Sequence, residues 1–391
     1  MTTRPPSRIA VVHDWLLDFA GAERVLAEIL RCFPGADLYA LFDHMPDADR
    51  AHLGGRLAHT TFLQRMPGIA TRHDLYLPLM PLAIEQLDLT GYDLVISSSH
   101  AVAKGVIVSP DALHVCSIYS PMRYAWDMQF AYLEGSGMQS GLRSILARML
   151  LHRLRIWDHR SAAGVDHFVA DSAFAARRVL KAYRRNADVI YPPIDTTQFV
   201  PGTGKEDFFL TVSRLWPYKR VDLIVEAFAQ LPERKLVVIG TGPELDRLKR
   251  MATPNVSLLG YQPEAVLRDH LQRARAFLFA AVEDFGIAPV EAQACGTPVI
   301  ALGRGGASET VIGIGQGEAP TGVHFDEQTA DSLVAAIRTF EAQAHLITQQ
   351  ACRRNAESFS AERFRRQFSA YVNDAWEQWM LRRSERVFVR D

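Results

Sequence analysis

The sequence has little cysteine and no charge imbalance. Lysine and arginine number 43 against 44 for aspartate and glutamate, so the net charge is −1, and such a chain offers no general attraction for nucleic acid. The four cysteines are scattered, without a C-x-x-C pair, and this spacing predicts neither a disulfide framework nor a zinc site. We expect a reducing cytoplasm and no nucleic-acid partner. The cysteines are Cys32, Cys116, Cys295 and Cys352.

Long apolar runs are also absent. No stretch of about 18 apolar residues occurs, so we expect no membrane span. The opening residues, Met-Thr-Thr-Arg-Pro-Pro-Ser-Arg, lack the apolar core of a signal peptide. With 391 residues, of which 48% are hydrophobic, the chain is long enough for two domains that each bury a core.

The stretch from 276 to 298 carries the densest local signals. The apolar run 276–281 predicts a buried strand. A loop with Gly286 follows, and Pro289 is placed where a helix begins, because its fixed φ suits the first turn. Gly296 and Pro298 then end that helix. The pattern predicts a strand, a loop and a short helix.

Two carboxylates, Glu283 and Glu291, lie eight residues apart in this stretch. Free backbone N–H groups at a helix start attract phosphate, and carboxylates accept hydrogen bonds from sugar hydroxyls. Together they favour a nucleotide-sugar as the ligand. The alternative is an ordinary strand-to-helix corner with two solvated glutamates.

A second motif runs from Ser213 to Arg220, where Arg214 and Lys219 follow a predicted strand, 208–212. Two cations near backbone N–H groups can balance a diphosphate. No Asp-x-Asp metal motif stands beside them. The alternative is a pair of surface cations.

These residues resemble a known family. Glu-Asp-Phe-Gly, Pro-Val-Glu-Ala and Cys-Gly-Thr-Pro-Val are similar to the E-x7-E signature of family 4 retaining glycosyltransferases, and Arg214 to Lys219 resembles their Arg-Leu-x-x-x-Lys diphosphate motif. The resemblance implies the α/β GT-B fold, with two Rossmann-like doubly wound domains facing across a cleft. The expected domains are 1–195 for the acceptor, 206–360 for the nucleotide-sugar, and a helix at 361–391 that packs back on the first domain.

The resemblance extends into the N-terminal half. After a strand at 9–12, Ala20-Gly21-Ala22-Glu23-Arg24-Val25 is similar to the family loop Gly-Gly-Ala-Glu-Arg-Val, although Ala20 replaces a common glycine. Gly21 either meets the donor or relieves a tight turn. His100, at the end of a strand from 93, resembles the family histidine that contacts the donor sugar. The alternative is a strand-end histidine bonded to the backbone.

The resemblance implies a role for each residue. Arg214 and Lys219 hold the diphosphate, Glu291 accepts from ribose, and Glu283 and His100 meet the sugar, which makes His100, Glu283, Arg214 and Lys219 the catalytic set. No metal is expected, and no cofactor beyond the donor substrate. The remaining donor-binding positions are Gly21, Gly240, Gly242, Phe285, Gly286, Ile287 and Ala288.

The stretches 97–105 and 13–15 look like those of bacterial mannosyltransferases that build O-antigen or exopolysaccharide. This implies GDP-mannose as donor and a lipid-linked saccharide as acceptor. Three alternatives stay open: a rhamnosyl- or glucosyltransferase using a dTDP- or UDP-sugar, a GT-B sugar-nucleotide epimerase, and a non-catalytic binding subunit.

Two further segments allow two interpretations each. The predicted helix 141–163 has an apolar band and a cationic face, which either rests on the inner membrane from the cytoplasm or is simply solvated. The aromatic loop 120–127 either stacks on an acceptor or packs internally.

Overall fold

The computed structural model describes residues 4–387. They form two compact units. The first contains the chain up to Tyr191 together with the part from Phe364 onward, and the second is Pro192–Arg363.

The first unit is built on a seven-stranded parallel sheet in the order β3-β2-β1-β4-β5-β6-β7. Its inner strands β1, β4, β5 and β6 are almost entirely buried, as expected for a parallel sheet covered by helices on both faces, whereas the short edge strands β3 and β7 are more exposed. The strands are β1 Ile9–His13, β2 Asp37–Ala40, β3 His59–Thr60, β4 Leu94–Ser99, β5 Leu113–Ile118, β6 His167–Ala170 and β7 Asp188–Val189. The helices are α1 Gly21–Cys32, α2 Asp47–Arg50, α3 Ile69–Arg72, α4 Met80–Ile84, α5 Gln129–Gly135, α6 Gly141–Ser161 and α7 Ala173–Tyr183.

The second unit repeats this architecture with six parallel strands in the order β10-β9-β8-β11-β12-β13. The strands are β8 Phe209–Val212, β9 Leu236–Ile239, β10 Val256–Gly260, β11 Ala276–Phe279, β12 Val299–Leu302 and β13 Gly322–Phe325. The helices are α8 Val221–Ala229, α9 Leu245–Met251, α10 Glu264–Arg273, α11 Ile287–Ala294, α12 Ala307–Thr310, α13 Ala330–Gln343 and α14 Gln349–Glu357. The predicted pair of doubly wound α/β sheets is confirmed.

The last helix, α15 Ala361–Val387, completes the core of the first unit. Phe364, Phe368 and Trp376 are buried in the same apolar cluster as Leu26 of α1 and Ile96 of β4. No helix among residues 4–387 is both long and apolar enough to cross a bilayer.

One predicted boundary is wrong. Helix α11 begins at Ile287, two residues before Pro289, because Gly286 adopts a φ of 84° and turns the chain into the helix there. Pro289 is tolerated because the amides of the first turn have no partner within the helix. Glu291 therefore lies in the second turn of α11, whereas a helix beginning at Pro289 would place it in the first turn.

Candidate active site

Three predicted site residues, Arg214, Glu283 and His100, each follow a strand at the topological switch point of their sheet. In the second sheet the order reverses between β8 and β11, which are direct neighbours. Arg214 follows β8 and Glu283 follows β11. In the first sheet the reversal lies between β1 and β4, which Asp14 and His100 follow. Ligands of open α/β sheets bind in such crevices, beyond the carboxyl ends of the strands.

In the second unit, Lys219 and Glu283 form an ion pair between Nζ and Oε1. The side chains are only 16% and 14% exposed, so the pair is partly withdrawn from water. The structure thus brings together two residues that the sequence places in separate motifs. A cation suited to phosphate and a carboxylate suited to hydroxyls neutralise one another here.

The turn that carries Lys219 is held by residues that the motifs did not indicate. Lys219 ends a 3₁₀ turn, Pro217–Lys219, and the next residue, Arg220, has a left-handed φ of 54°. The Arg220 guanidinium donates to Gln328 Oε1 at 3.2 Å, and the Gln328 amide donates to the Ala280 carbonyl at 2.7 Å. This chain of bonds ties the turn after β8 to the end of β11. The sequence gives no signal for Gln328.

The predicted nucleotide-side glycines, Gly240 and Gly242, support the loop of Arg214. A Cβ on Gly240 would lie 1.8 Å from the Ser213 carbonyl oxygen, and one on Gly242 would lie 2.6 Å from that of Leu215. The Leu215 amide also donates to the Thr241 carbonyl at 2.8 Å. Only glycine permits this close backbone approach, and the exposed Arg214 is presented by the supported loop.

Helix α11 starts directly after Phe285 and Gly286, and the amides of Ile287 and Ala288 belong to its first turn. Such amides have no acceptor within the helix and can bind an anion. Glu291 is only 8% exposed. The strand-to-helix turn is held by the Gly306 amide, which donates to the Glu283 carbonyl at 2.8 Å.

In the first unit, the carboxylate of Asp14 organises the chain around His100. Asp14 is fully buried. Its Oδ2 accepts the amides of His100 and Ala101 at 2.6 and 3.0 Å, and its Oδ1 accepts those of Val102 and Ala103 at 2.6 Å each. Four amides on one buried carboxylate fix the backbone that follows β4.

The ring of His100 is also held by Asp14. His100 Nδ1 lies 3.0 Å from Asp14 Oδ2, and the side chain remains 32% exposed. Trp15 packs edge-on against the ring, with centroids 4.6 Å apart. The arrangement directs Nδ1 to the carboxylate and leaves Nε2 for a ligand. Because the backbone amide of His100 also donates to Asp14, the carboxylate fixes both the backbone and the ring of this histidine.

Burial and charge act in opposite directions on this pair. Burial raises the pKa of Asp14, but the charge and hydrogen bond of His100 outweigh it, so the pKa lies well below its usual value. Burial lowers the pKa of His100, but the charge and hydrogen bond of Asp14 raise it above its ordinary value. Each side chain therefore favours the charged form of the other.

A second buried network connects β1 with the loop of Gly21, which is the first residue of α1. Tyr119 OH donates to the Ala22 carbonyl at 3.0 Å, and Ser98 Oγ lies 2.8 Å from Tyr119 OH. His13 Nδ1 lies 3.0 Å from Ser98 Oγ, while Nε2 lies 3.5 Å from Glu23 Oε1. Since each hydroxyl has one proton to donate, His13 carries its proton on Nδ1.

The loop 120–127 is used partly for packing. Met122 and Ala125 are fully buried, and the Trp126 indole donates to Asp158 Oδ2 at 2.7 Å. These contacts favour internal packing for this part of the loop over stacking on a ligand. Within residues 4–387, no cluster of three or more His, Cys, Asp or Glu side chains is placed to hold a metal ion.

Comparison with known proteins agrees with the geometry of the second unit. Residues 194–359 match the family model described as Glycosyl transferases group 1. The second unit contains a group 1 glycosyltransferase domain. Arg214, Lys219, Glu283 and Glu291 all lie within the group 1 domain, whereas Gly21 and His100 lie outside it.

Curated relatives include two bacterial sugar transferases. A GDP-mannose-dependent alpha-(1-6)-phosphatidylinositol monomannoside mannosyltransferase of Mycolicibacterium smegmatis is 31% identical over 175 residues, 37% of this chain and 44% of the relative. A D-inositol 3-phosphate glycosyltransferase of Geodermatophilus obscurus is 32% identical over 241 residues, 53% of this chain and 52% of the relative. The chain spans about half the length of these relatives.

Solved structures extend the similarity of fold beyond the group 1 domain. HepE of Anabaena, in complex with UDP, has a TM-score of 0.65 at 17% identity and covers 94% of this chain and 100% of that one. Sucrose-phosphate synthase of Thermosynechococcus elongatus has a TM-score of 0.70 at 18% identity, with coverage of 95% and 100%. At these identities the likeness shows the fold, and it confirms two Rossmann-like units of the GT-B type.

Proposed function

We propose that the protein is a family 4 retaining glycosyltransferase that transfers mannose from GDP-mannose to a lipid-linked saccharide during O-antigen or exopolysaccharide synthesis. The observation that carries this proposal is the ion pair of Lys219 and Glu283 at the switch point of the group 1 domain. The diphosphate of a nucleotide-sugar needs a cation such as Lys219, and its sugar hydroxyls need a hydrogen-bond acceptor such as Glu283.

The departing diphosphate requires positive charge. Arg214 and Lys219 follow β8, and the amides of Ile287 and Ala288 open a helix after the neighbouring strand β11. Fixed cations and helix amides stabilise charge that develops on a leaving phosphate. The proposal assigns this role to protein groups, with no metal and no cofactor beyond the donor.

The sugar and ribose hydroxyls require acceptors. We assign Glu283 to the sugar. In the proposal, Lys219 leaves the Glu283 carboxylate and binds the donor phosphate, so that the carboxylate can accept hydrogen bonds from the sugar hydroxyls. Glu291 is assigned to the ribose. His100, held by Asp14, is assigned to a sugar or phosphate oxygen as a hydrogen-bond donor through Nε2.

Transfer with retention then follows without an assigned carboxylate nucleophile. The bond between the anomeric carbon and the phosphate oxygen breaks as the acceptor oxygen bonds to the same face of that carbon. The acceptor proton passes to the departing phosphate oxygen. The protein contributes charge and orientation, which are large terms in enzymatic rate enhancement.

Mannose is supported by the relative whose name specifies GDP-mannose and by the resemblance of residues 97–105 to mannosyltransferases. A lipid-linked acceptor places the reaction at the cytoplasmic face of the inner membrane, and we include contact through the basic helix 141–163 in the proposal.

The first experiment is thermal unfolding with GDP, GDP-mannose, UDP, UDP-glucose and dTDP. A ligand that binds only the native state at about 100 times its Kd adds about 2.7 kcal/mol of stability. We expect a rise in Tm with GDP and GDP-mannose alone. A rise with UDP or dTDP would instead support a glucosyl- or rhamnosyltransferase, and no rise with any ligand would support a binding protein without this donor site.

Product analysis separates transfer from epimerisation. Incubation with GDP-mannose and no acceptor is expected to leave the sugar unchanged. Formation of a different GDP-sugar under these conditions would overturn the transferase proposal in favour of an epimerase.

A further inference from the structure

Helix α6 presents apolar side chains outward. Leu142, Leu146, Met149 and Ile156 are between 53% and 71% exposed, as is Ile145 between them. The opposite side of the helix, with Ser144, Leu151, Leu154 and Asp158, is buried. A helix on the surface of a soluble domain ordinarily places polar residues outward. A contiguous apolar face of this kind marks an interaction site.

The orientation of α6 is fixed by buried contacts at its C-terminal half. Asp158 pairs with Lys104 and accepts from the Trp126 indole and Tyr183 hydroxyl at 2.7 and 2.9 Å. The Trp157 indole donates to Glu85 Oε1 at 2.7 Å. Rotation that would bury the outward residues would leave the charge of Asp158 without Lys104, which is a costly change in a buried site.

The arginines of the cationic face predicted from the sequence fall into two groups in the structure, one bonded to neighbouring protein groups and one exposed. Arg155 turns inward and donates to the Ala125 carbonyl at 2.7 Å, and Arg148 donates to Ser144 Oγ at 3.2 Å. Arg143, Arg153 and Arg160 remain exposed. Arginines therefore border the apolar residues on the outward side of α6.

Phe130 of α5 extends this surface. Its ring lies 5.6 Å from the Arg148 guanidinium, and its side chain is 69% exposed. We define the α6 surface as Phe130, Leu142, Ile145, Leu146, Met149 and Ile156 with the bordering arginines 143, 153 and 160.

The charge of the helix identifies the occupant. Helix α6 contains five arginines and one acid, Asp158, which is buried and paired, whereas the chain as a whole has a net charge of −1. A second copy docking through the same surface would bring two sets of arginines together. An anionic lipid surface offers both apolar depth and opposite charge.

We propose that the α6 surface docks the protein on an anionic bilayer. The helix lies in the plane of the interface, with its apolar side chains in the boundary between headgroups and acyl chains and its arginines extended to the lipid phosphates. The inference deepens the proposed function. It rests on that function only for the purpose of the docking, which is access to a lipid-linked acceptor. The binding itself requires no nucleotide.

The test uses the full chain and vesicles of phosphatidylcholine with or without phosphatidylglycerol, in a co-sedimentation assay without nucleotide. We expect binding to the anionic vesicles that weakens as salt is added. Leu146→Glu/Met149→Glu should bind at least about tenfold more weakly, because apolar burial is replaced by two charges of the same sign as the lipid. Arg153→Gln and Arg160→Gln should each weaken binding about fivefold, which corresponds to about 1 kcal/mol for one basic residue near an anionic surface.

The matched control is Leu57→Glu, at a leucine of the same unit that is 73% exposed and outside α6. It should bind vesicles like the unchanged protein, and all variants should keep the same Tm. Absence of binding to anionic vesicles, equal loss in Leu57→Glu, or full binding by Leu146→Glu/Met149→Glu would each overturn the proposal. A dimer in sedimentation velocity that the double variant abolishes, without vesicle binding, would assign the surface to a second copy.

The two proposals fail separately. Vesicle binding with no Tm rise from any nucleotide would leave the docking surface intact and remove the proposed donor. A Tm rise with GDP and no vesicle binding would leave the proposed donor intact and remove the docking surface.

Discussion

The switch points of the two units hold their polar groups in opposite ways. In the first unit, a fully buried carboxylate, Asp14, accepts four backbone amides and lies beside His100. In the second unit, Lys219 and Glu283 have flexible side chains, partial exposure and one another as ion-pair partners. The first arrangement is built into the backbone, and the second can open when a ligand supplies new partners.

The first site is preorganised for its ligand, whereas in the second site a ligand can replace the ion-pair partners. A buried carboxylate with every lone pair used cannot be offered to a ligand without large cost, so Asp14 acts through His100. Separating the mostly buried pair of Lys219 and Glu283 is costly unless new partners are supplied, and a donor would supply them by offering a phosphate to Lys219 and hydroxyls to Glu283. We therefore expect mutations of the first site to affect folding as well as activity, and mutations of the second to affect activity more than folding.

The largest effect on activity is expected at the second site. Lys219→Ala and Glu283→Ala should each lower transfer by about 100-fold or more, in line with the loss of one group that stabilises transition-state charge. The measurement is kcat/KM for transfer from GDP-mannose. Lys249→Ala and Glu226→Ala, at exposed positions of the same unit, are the controls. Full activity in either site variant would remove that residue from the proposed site.

The largest effect on stability is expected at the first site. Asp14→Asn should lower the free energy of unfolding by about 2–4 kcal/mol, because an amide cannot serve four donors and each unpaired buried N–H costs about 1–3 kcal/mol. Urea denaturation measures the change. Asp74→Asn, at an exposed carboxylate of the same unit, should change it little. Equal stability of the two variants would show that Asp14 is not the organising group.

The pH dependence of stability gives a smaller and more specific signal. Because the pKa of His100 is raised in the native state, its contribution is full below the unfolded value of about 6.5 and is lost as the pH rises through the native pKa. Because the pKa of Asp14 is lowered, its contribution is present above about 3.9 and is lost as the pH falls below that value.

His100→Gln tests the alkaline side of this relation. Unfolding measured from pH 5.5 to 8.5 should show a decline in the unchanged protein that is absent from the variant. NMR titration of the His100 ring should also give a lower pKa in Asp14→Asn than in the unchanged protein. A histidine pKa that does not respond to Asp14 would contradict the pairing.

The smallest effect is expected from metal removal. If Arg214 and Lys219 balance the diphosphate, EDTA should leave the transfer rate unchanged. Loss of activity on chelation, restored by Mg²⁺ or Mn²⁺, would show that the second site needs a charge that the protein does not supply.

Local patterns predicted the elements that carry the candidate site. Apolar runs predicted β1, β8, β11 and the first half of β4, because buried parallel strands are rich in apolar residues. Ser172, a favoured residue type at a helix N-cap, stands before α7, and its hydroxyl accepts the Ala175 amide at 2.9 Å. His100 was placed correctly at the carboxyl end of a strand.

Contacts that depend on strand order were beyond the sequence. The pairing of Lys219 with Glu283 requires β8 and β11 to be neighbours, although two strands of the chain lie between them in sequence. Asp14 was visible as a polar residue after β1, but its contact with residues 100–103 follows from the adjacency of β1 and β4. The division of the α6 arginines likewise depends on which polar groups the neighbouring loop supplies.

The closing of the first unit by α15 has a consequence for how the chain is made. Phe364, Phe368 and Trp376 complete the apolar cluster of α1 and β4, and the Trp376 indole donates to the Arg4 carbonyl at 2.9 Å. During synthesis, the whole second unit leaves the ribosome before these residues do. Until α15 has been made, the apolar residues of α1 and β4 that it covers remain exposed. A chain interrupted after residue 363 would therefore present these apolar residues to chaperones and proteases.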